Sequence, residues 1–150
     1  ALTADFFRRV ARALPRQVVV IRAEQAGVMI AAAICFRDAS TLYGRYWGST
    51  VSVPGLHFET CYYQGIEYCL AHGLRRFEPG AQGEHKLFRG FMPVWTRSAH
   101  HIVHPGFRHG IGRSLLAERQ SLLAYRESAL AALPFRADCA PADTELPAVD

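Results

Sequence analysis

The sequence predicts a mixed α/β domain of the α+β kind, on three observations. Residues 18–47 hold three short runs rich in β-branched and aromatic side chains, separated by polar turns. Apolar residues recur at three- and four-residue steps before, after and well beyond those runs. At 150 residues with 50% apolar side chains, the chain has the length and composition to fill one core.

The elements follow in order. From 3 or 5 to 14, Phe6, Val10 and Leu14 form an apolar stripe with Phe7 beside it, and Arg8, Arg9 and Arg12 fall mostly elsewhere. Pro15 stops that helix. Residues 18–23 and 28–36 read as antiparallel strands joined through a turn at 25–27, although Ala31, Ala32 and Ala33 weaken the strand propensity. After a polar turn at 37–40, a third strand over 41–47 completes a meander, which needs helices to cover a face.

A helical pattern begins near 57–60 and places Tyr62, Ile66, Cys69 and Leu70 inward, with Glu59, Tyr63 and Glu67 every four residues on a neighbouring face. Gly73 reads as its C-cap. Residues 74–77 suggest a short central strand entered directly from that helix. Three glycines and a proline break up 78–90, where the backbone can approach a ligand or adopt positive φ. Extended structure is expected to resume at 91–96 and continue at 98–103 despite Pro93. The longest helix runs over 107–133, after Pro105 and Gly106 and before Pro134. These elements make a domain over 1–134, and the small, acidic, proline-rich residues 135–150 read as a mobile tail.

Bulk properties exclude several functions. The charge of +4, from 17 Lys and Arg against 13 Asp and Glu, is not gathered into a basic run. Sequence-specific DNA binding is therefore not expected, and the excess suits an anionic small ligand or a weak polyanion contact. No apolar run approaches the ~20 residues that cross a bilayer, so membrane insertion is not expected either. Cys35, Cys61, Cys69 and Cys139 form no zinc-ligand spacing and read as reduced thiols, which favours a cytoplasmic chain. His100, His101 and His104 lack the spacing and partners of a familiar zinc set, so no metal is expected. Phosphate-loop, dinucleotide and hydrolase-elbow motifs are missing.

Two groups of residues carry the chemistry. Glu84, His85, Lys86 and Arg89 stand in six positions between Gly83 and Gly90. This is an ordinary solvated loop or a ligand loop, in which Lys86 or Arg89 holds an anionic donor and Glu84 or His85 accepts a proton from an amine. His57 and Glu59 open the middle helix. Glu59 favours the positive helix end, or it serves with His57 in the same cleft as the glycine-broken run. Tyr43, Arg45, Tyr46 and Trp47 form an aromatic strand with one cation, suited equally to core and cleft.

The segments YGRYWGS at 43–49, LHFETCYYQGIEYCLAHGL at 56–74, FEPGAQGEHKLFRGFMP at 77–93 and SAHHI at 98–102 together resemble the bacterial FemAB-like proteins described as peptidoglycan-biosynthesis-related, within the GNAT superfamily of N-acetyltransferases. The resemblance implies a GNAT-like single lobe, a mixed and mainly antiparallel sheet flanked by helices, similar to the C-terminal lobe of a longer protein. It implies an acyl- or aminoacyltransferase acting on a small primary amine, with acyl-CoA or charged tRNA as donor and no tightly bound cofactor. It leaves room for a homo-oligomer. Carried onto this sequence, it points to His57, Glu59, Glu84, His85, Lys86 and Arg89 as motif residues, and the chemistry of their side chains makes Glu59, Glu84 and His85 the expected catalytic residues. Donor or substrate would be bound by His57, Tyr63, Lys86, Arg89, Arg45 and Tyr46.

One departure bears on the donor. Ordinary acetyltransferases of the superfamily present a Gln/Arg-x-x-Gly-x-Gly/Ala loop to the donor pyrophosphate before the corresponding helix. Here that position reads Ser49-Thr-Val-Ser-Val-Pro54-Gly55. A noncatalytic binding or scaffold lobe that retains the fold is the alternative this departure supports.

Overall fold

The computed structural model describes residues 2–80 and 83–136, which fall into two compact units, one ending at Gln82 and the other starting at Gly83. Cys139 and most of the expected tail lie outside the described residues.

The first unit opens with helix α1 (Ala4–Ala13), where the Thr3 hydroxyl accepts a hydrogen bond from the Phe6 amide at 3.3 Å. That bond satisfies one of the helix's orphan donors. Strands β1 (Val18–Gln25), β2 (Val28–Arg37) and β3 (Thr41–Ser49) then form the expected antiparallel meander. Gln25 pairs with Val28, so only Ala26 and Gly27 make the first turn, at φ 50° and 79°. Two consecutive positive φ values match the twist that a two-residue hairpin requires.

Asp38 organises the second turn. One carboxylate oxygen accepts from the amides of Ser40 (2.7 Å) and Thr41 (2.8 Å), and the other accepts from the Tyr43 hydroxyl at 2.8 Å. Donors facing a carboxylate favour its charged form, so the Asp38 pKa falls to about 2, mainly through the Ser40 amide and then the Tyr43 hydroxyl. The same contact raises the Tyr43 phenol.

The middle helix is composite. A turn of α-helix α2 (Leu56–Phe58) passes into a π-helical turn (Glu59–Tyr63) and then into α3 (Gln64–His72). Gly73, at φ 65°, ends it in the left-handed conformation, and the Leu74 amide turns back to the Cys69 carbonyl at 2.9 Å. Strand β4 (Arg76–Glu78) follows and pairs parallel to β3, giving the strand order β1-β2-β3-β4. The fold is thus the mixed, mainly antiparallel sheet with helices. One detail differs from the sequence reading: among the described residues the last strand is the end of the sheet and not its centre, with only β3 beside it.

The core lies between the sheet and the middle helix. Cys35, Leu42, Cys69 and Leu74 are buried there, with Val19, Ile21, Tyr68 and Phe77 packed against them. Leu42 is 0% exposed, a burial that contributes about 2 kcal/mol. Ala31 and Ala33 are also buried, so the alanines that weaken strand propensity are the small side chains of a closely packed face. Gly65 serves the same end: a Cβ there would lie 2.5 Å from the Phe77 ring. Arg37 ties the helix to β2 by donating to the Tyr68 hydroxyl at 3.1 Å.

The second unit holds a 3-10 helix (Glu84–Arg89) and the long helix α4 (Pro105–Ala131). Gly83 at φ 99° and Gly90 at φ 81° bound the 3-10 helix, so a segment expected as an irregular loop is a short helix held between two glycine turns. Residues 91–103 contain no strand, contrary to the extended elements expected at 91–96 and 98–103. Pro93 lacks an amide donor, and among the described residues of the unit there is no strand for the rest to pair with. His104 caps α4, its Nδ1 accepting from the Phe107 amide at 3.4 Å, and Pro105 occupies the first turn.

Candidate active site

In the first unit His57, Glu59 and Tyr63 lie on or just before the π-turn. A π-turn closes hydrogen bonds from i to i+5, which brings residues five apart into line. Here the Gln64 amide donates to the Glu59 backbone carbonyl, and the Gln64 side chain donates to Glu59 Oε1 at 2.9 Å. The same side-chain nitrogen donates to Glu67 Oε2 at 3.1 Å. Gln64 therefore separates two carboxylates and fixes the orientation of Glu59, which stays exposed while Thr60 and Tyr62 turn into the core. Tyr63, on the same turn, is 45% exposed.

His57 stands one turn earlier. Its ring lies 5.3 Å from Trp47 and 5.5 Å from both Phe58 and Tyr62, measured between centroids. An imidazole among three aromatic rings is positioned by packing on several sides. The imidazole thus packs toward the sheet through Trp47, while Glu59, two residues on, is exposed.

Tyr46 and Arg45 lie elsewhere. A bulge between Ile34 and Cys35 leaves Arg45 without a partner in the register, so that Tyr46 pairs with Ile34 and Trp47 with Ala33. Consecutive strand residues face opposite sides. Trp47 consequently meets His57 on the helix side, while Tyr46 meets Phe7 of α1 edge-on at 5.3 Å on the other. The Arg45 guanidinium lies over the Tyr46 ring at 5.6 Å. Tyr46 also lines an apolar groove of about 410 Å³, together with Met29, Ile30, Ala32 and Ile34. The groove exists because Ala32 and Gly48 face each other across β2 and β3 with almost no side chain.

In the second unit, the 3-10 helix carries Glu84, His85, Lys86 and Arg89. His85 folds back over Gly83, where a Cβ would meet its ring at 2.4 Å, and the Gly83 φ of 99° favours glycine there. An Arg89 guanidinium nitrogen donates to the His85 carbonyl at 2.8 Å, fixing the far end of the turn, and Glu84 is exposed. Of the three clustered histidines, His100 contacts the Ser98 hydroxyl at 2.9 Å and His104 caps α4. Among the described residues no three His, Cys, Asp or Glu side chains come together as a metal site.

Gln64 is the residue that sequence reasoning missed. Its spacing of five from Glu59 matches no α-helical periodicity, so a π-turn had to be present for the pair to form.

The FemAB-like family, described as peptidoglycan biosynthesis/recognition, matches residues 1–137, and the chain belongs to that family. No curated protein and no solved structure matches the chain. Membership supports a general acyl- or aminoacyltransferase role in peptidoglycan-related metabolism. No helix among the described residues is long and apolar enough to cross a membrane.

Proposed function

We propose that the chain transfers an acyl or aminoacyl group to a primary amine, with Glu59 as the proton acceptor. The observation that carries this reading is the Gln64 amide holding Glu59 on an exposed π-turn. π-turns interrupt helices frequently at functional sites, and an amine attacks only as its neutral form. In the reaction, the amine nitrogen forms a bond to the acyl carbon, its proton passes to the carboxylate, and the bond to the donor's leaving oxygen or sulfur breaks. The leaving group then takes the proton. His57 and Tyr63 would contact the substrate next to Glu59.

The second unit carries a separate set suited to the same reaction class. Glu84 and His85 are proton acceptors there, and Lys86 and Arg89 are cations for an anionic donor or for charge developing on the acyl oxygen. Charged tRNA and acyl-CoA both present such an anion.

A second reading, a recognition lobe without turnover, is favoured by the segment before the middle helix. Ser49 spends its hydroxyl on the Ile30 and Val51 carbonyls, and Gly55 begins the helix without a side-chain cap. That segment lacks the pyrophosphate loop of ordinary acetyltransferases. Turnover of the Glu84→Ala and His85→Ala variants, measured beside Glu59→Gln, tests the assignment. A drop of at least about tenfold with folding preserved is expected of a proton acceptor. Unchanged turnover in all three variants would overturn the catalytic reading.

A further inference from the structure

Helix α1 has two faces, and the fold uses only part of one. At 3.6 residues per turn, Phe6, Val10 and Phe7 cover an apolar arc of about 100°, and Arg8, Arg12 and Arg9 a basic arc of similar width. Phe7, at one edge of the apolar arc, packs on Tyr46 of the sheet. Phe6, at the other edge, stands against Phe7 at 5.3 Å and remains 38% exposed, and the flanking Leu2 and Leu14 are 52% and 43% exposed.

The exposed edge is also the one nearer the arginines. Arg9 lies only about 60° around the helix from Phe6, whereas Arg8 lies about 100° from Phe7. Asp5 is the sole acid of the helix, and its carboxylate is taken by Arg9 at 2.7 Å. Arg8, Arg12 and the following Arg16 have no acidic partner among the described residues.

We propose that α1 is a peripheral contact for an anionic lipid surface. Leu2, Phe6 and Leu14 would enter the boundary between headgroups and acyl chains, and Arg8, Arg9, Arg12 and Arg16 would lie along the headgroup phosphates. Charge complementarity selects the occupant: four arginines less one paired acid leave a net charge of +3, which calls for an anion. The exposed apolar edge selects a lipid over a nucleic acid, because phosphate-backbone contacts have no use for protruding leucine and phenylalanine. Long cationic side chains at the rim of a shallow apolar face can keep their charge at the headgroups while their stems lie on the face. The helix lies on such a surface and does not span it. This inference does not depend on the transfer reaction.

Flotation of the full chain with vesicles of phosphatidylcholine, with or without phosphatidylglycerol, tests the proposal. The chain should float with the anionic vesicles only, and should be released near 1 M salt, where screening shortens to about 3 Å. Each arginine near an anionic surface is worth about fivefold, so Arg8→Ala/Arg12→Ala/Arg16→Ala should weaken partitioning about a hundredfold. Phe6→Ser should weaken it about tenfold. Should that variant lose its circular dichroism signal, Leu2→Ser, outside the helix, replaces it with the same expectation in direction. Wild type that stays unbound, or a triple variant that floats as well as wild type, overturns the proposal. Arginine-dependent binding to duplex DNA that is indifferent to Phe6→Ser and Leu2→Ser also overturns it, in favour of a general polyanion contact.

Discussion

The Gln64 side chain holds Glu59 at 2.9 Å across a spacing that only a π-turn brings into line. The same amide nitrogen reaches Glu67 at 3.1 Å, so one neutral group keeps two carboxylates apart and oriented. Gln64→Ala should lower kcat by several-fold and leave KM little changed, because Glu59 is mispositioned but still present. Gln64→Asn, one methylene shorter, should not restore the rate. Steady-state kinetics of the two variants beside Glu59→Gln check this, and wild-type kcat in Gln64→Ala would remove the positioning role.

Gly65 lies where the middle helix crosses Phe77. A methyl group at 2.5 Å from the ring requires the ring, the helix or β4 to shift, and overpacking of this kind costs about 1–3 kcal/mol. Gly65→Ala should lower the urea midpoint accordingly, and adding Phe77→Leu should recover part of the loss by withdrawing the ring. If Gly65→Ala unfolds at the wild-type midpoint, the close approach is not a constraint.

Asp38 gives the fold an acid limit. Its folded pKa of about 2 lies below the 3.8 of an ordinary aspartate, so its contribution is present above pH ~4 and is lost as pH falls towards 2. Asp38→Asn should lower stability at neutral pH and flatten the acid limb over that window. Tyr43→Phe should do the same to a smaller degree, since it removes one donor of the set. Superimposable acid titrations of wild type and Asp38→Asn would contradict this.

Cys35 and Cys69 are shielded as well as buried. Burial pushes the Cys35 thiol up to about 11, with Cys69 adding to the rise, and burial also raises Cys69 while Arg37 opposes it. A protonated thiol is a poor nucleophile. Peptide mapping after iodoacetamide treatment at pH 8 should therefore find both unmodified in the folded chain and modified in urea. Rapid native labelling of Cys35 would show that the core opens there.

Much of the fold was legible because its signals are local. Thr3 and Pro15 bound α1, Ala26-Gly27 makes the hairpin, Gly73 ends the middle helix, and Pro105 starts α4, each through backbone chemistry within a few residues. What could not be read depends on partners distant in sequence. The arginine bulge at 45 reverses which of Tyr46 and Trp47 meets His57, and it is set by pairing with Ile34 and Cys35. The edge position of β4 follows from which strand it joins, and the absence of strands over 91–103 from the lack of a strand to join among the described residues of that unit. Of the candidate residues, His57 and Glu59 in one unit and Glu84 and His85 in the other are named from their surroundings in sequence. Gln64 is not, because periodicity of four hides a contact at five.

The measurement that bears most directly on the account is a donor screen with the full-length protein. Aminoacyl-tRNA and acyl-CoA are each offered with a primary amine, and products are read by mass. The account predicts saturable formation of an amide from one of these donors, and loss of that product in Glu59→Gln at unchanged thermal stability. No amide from either donor, or equal product from Glu59→Gln and wild type, would contradict it.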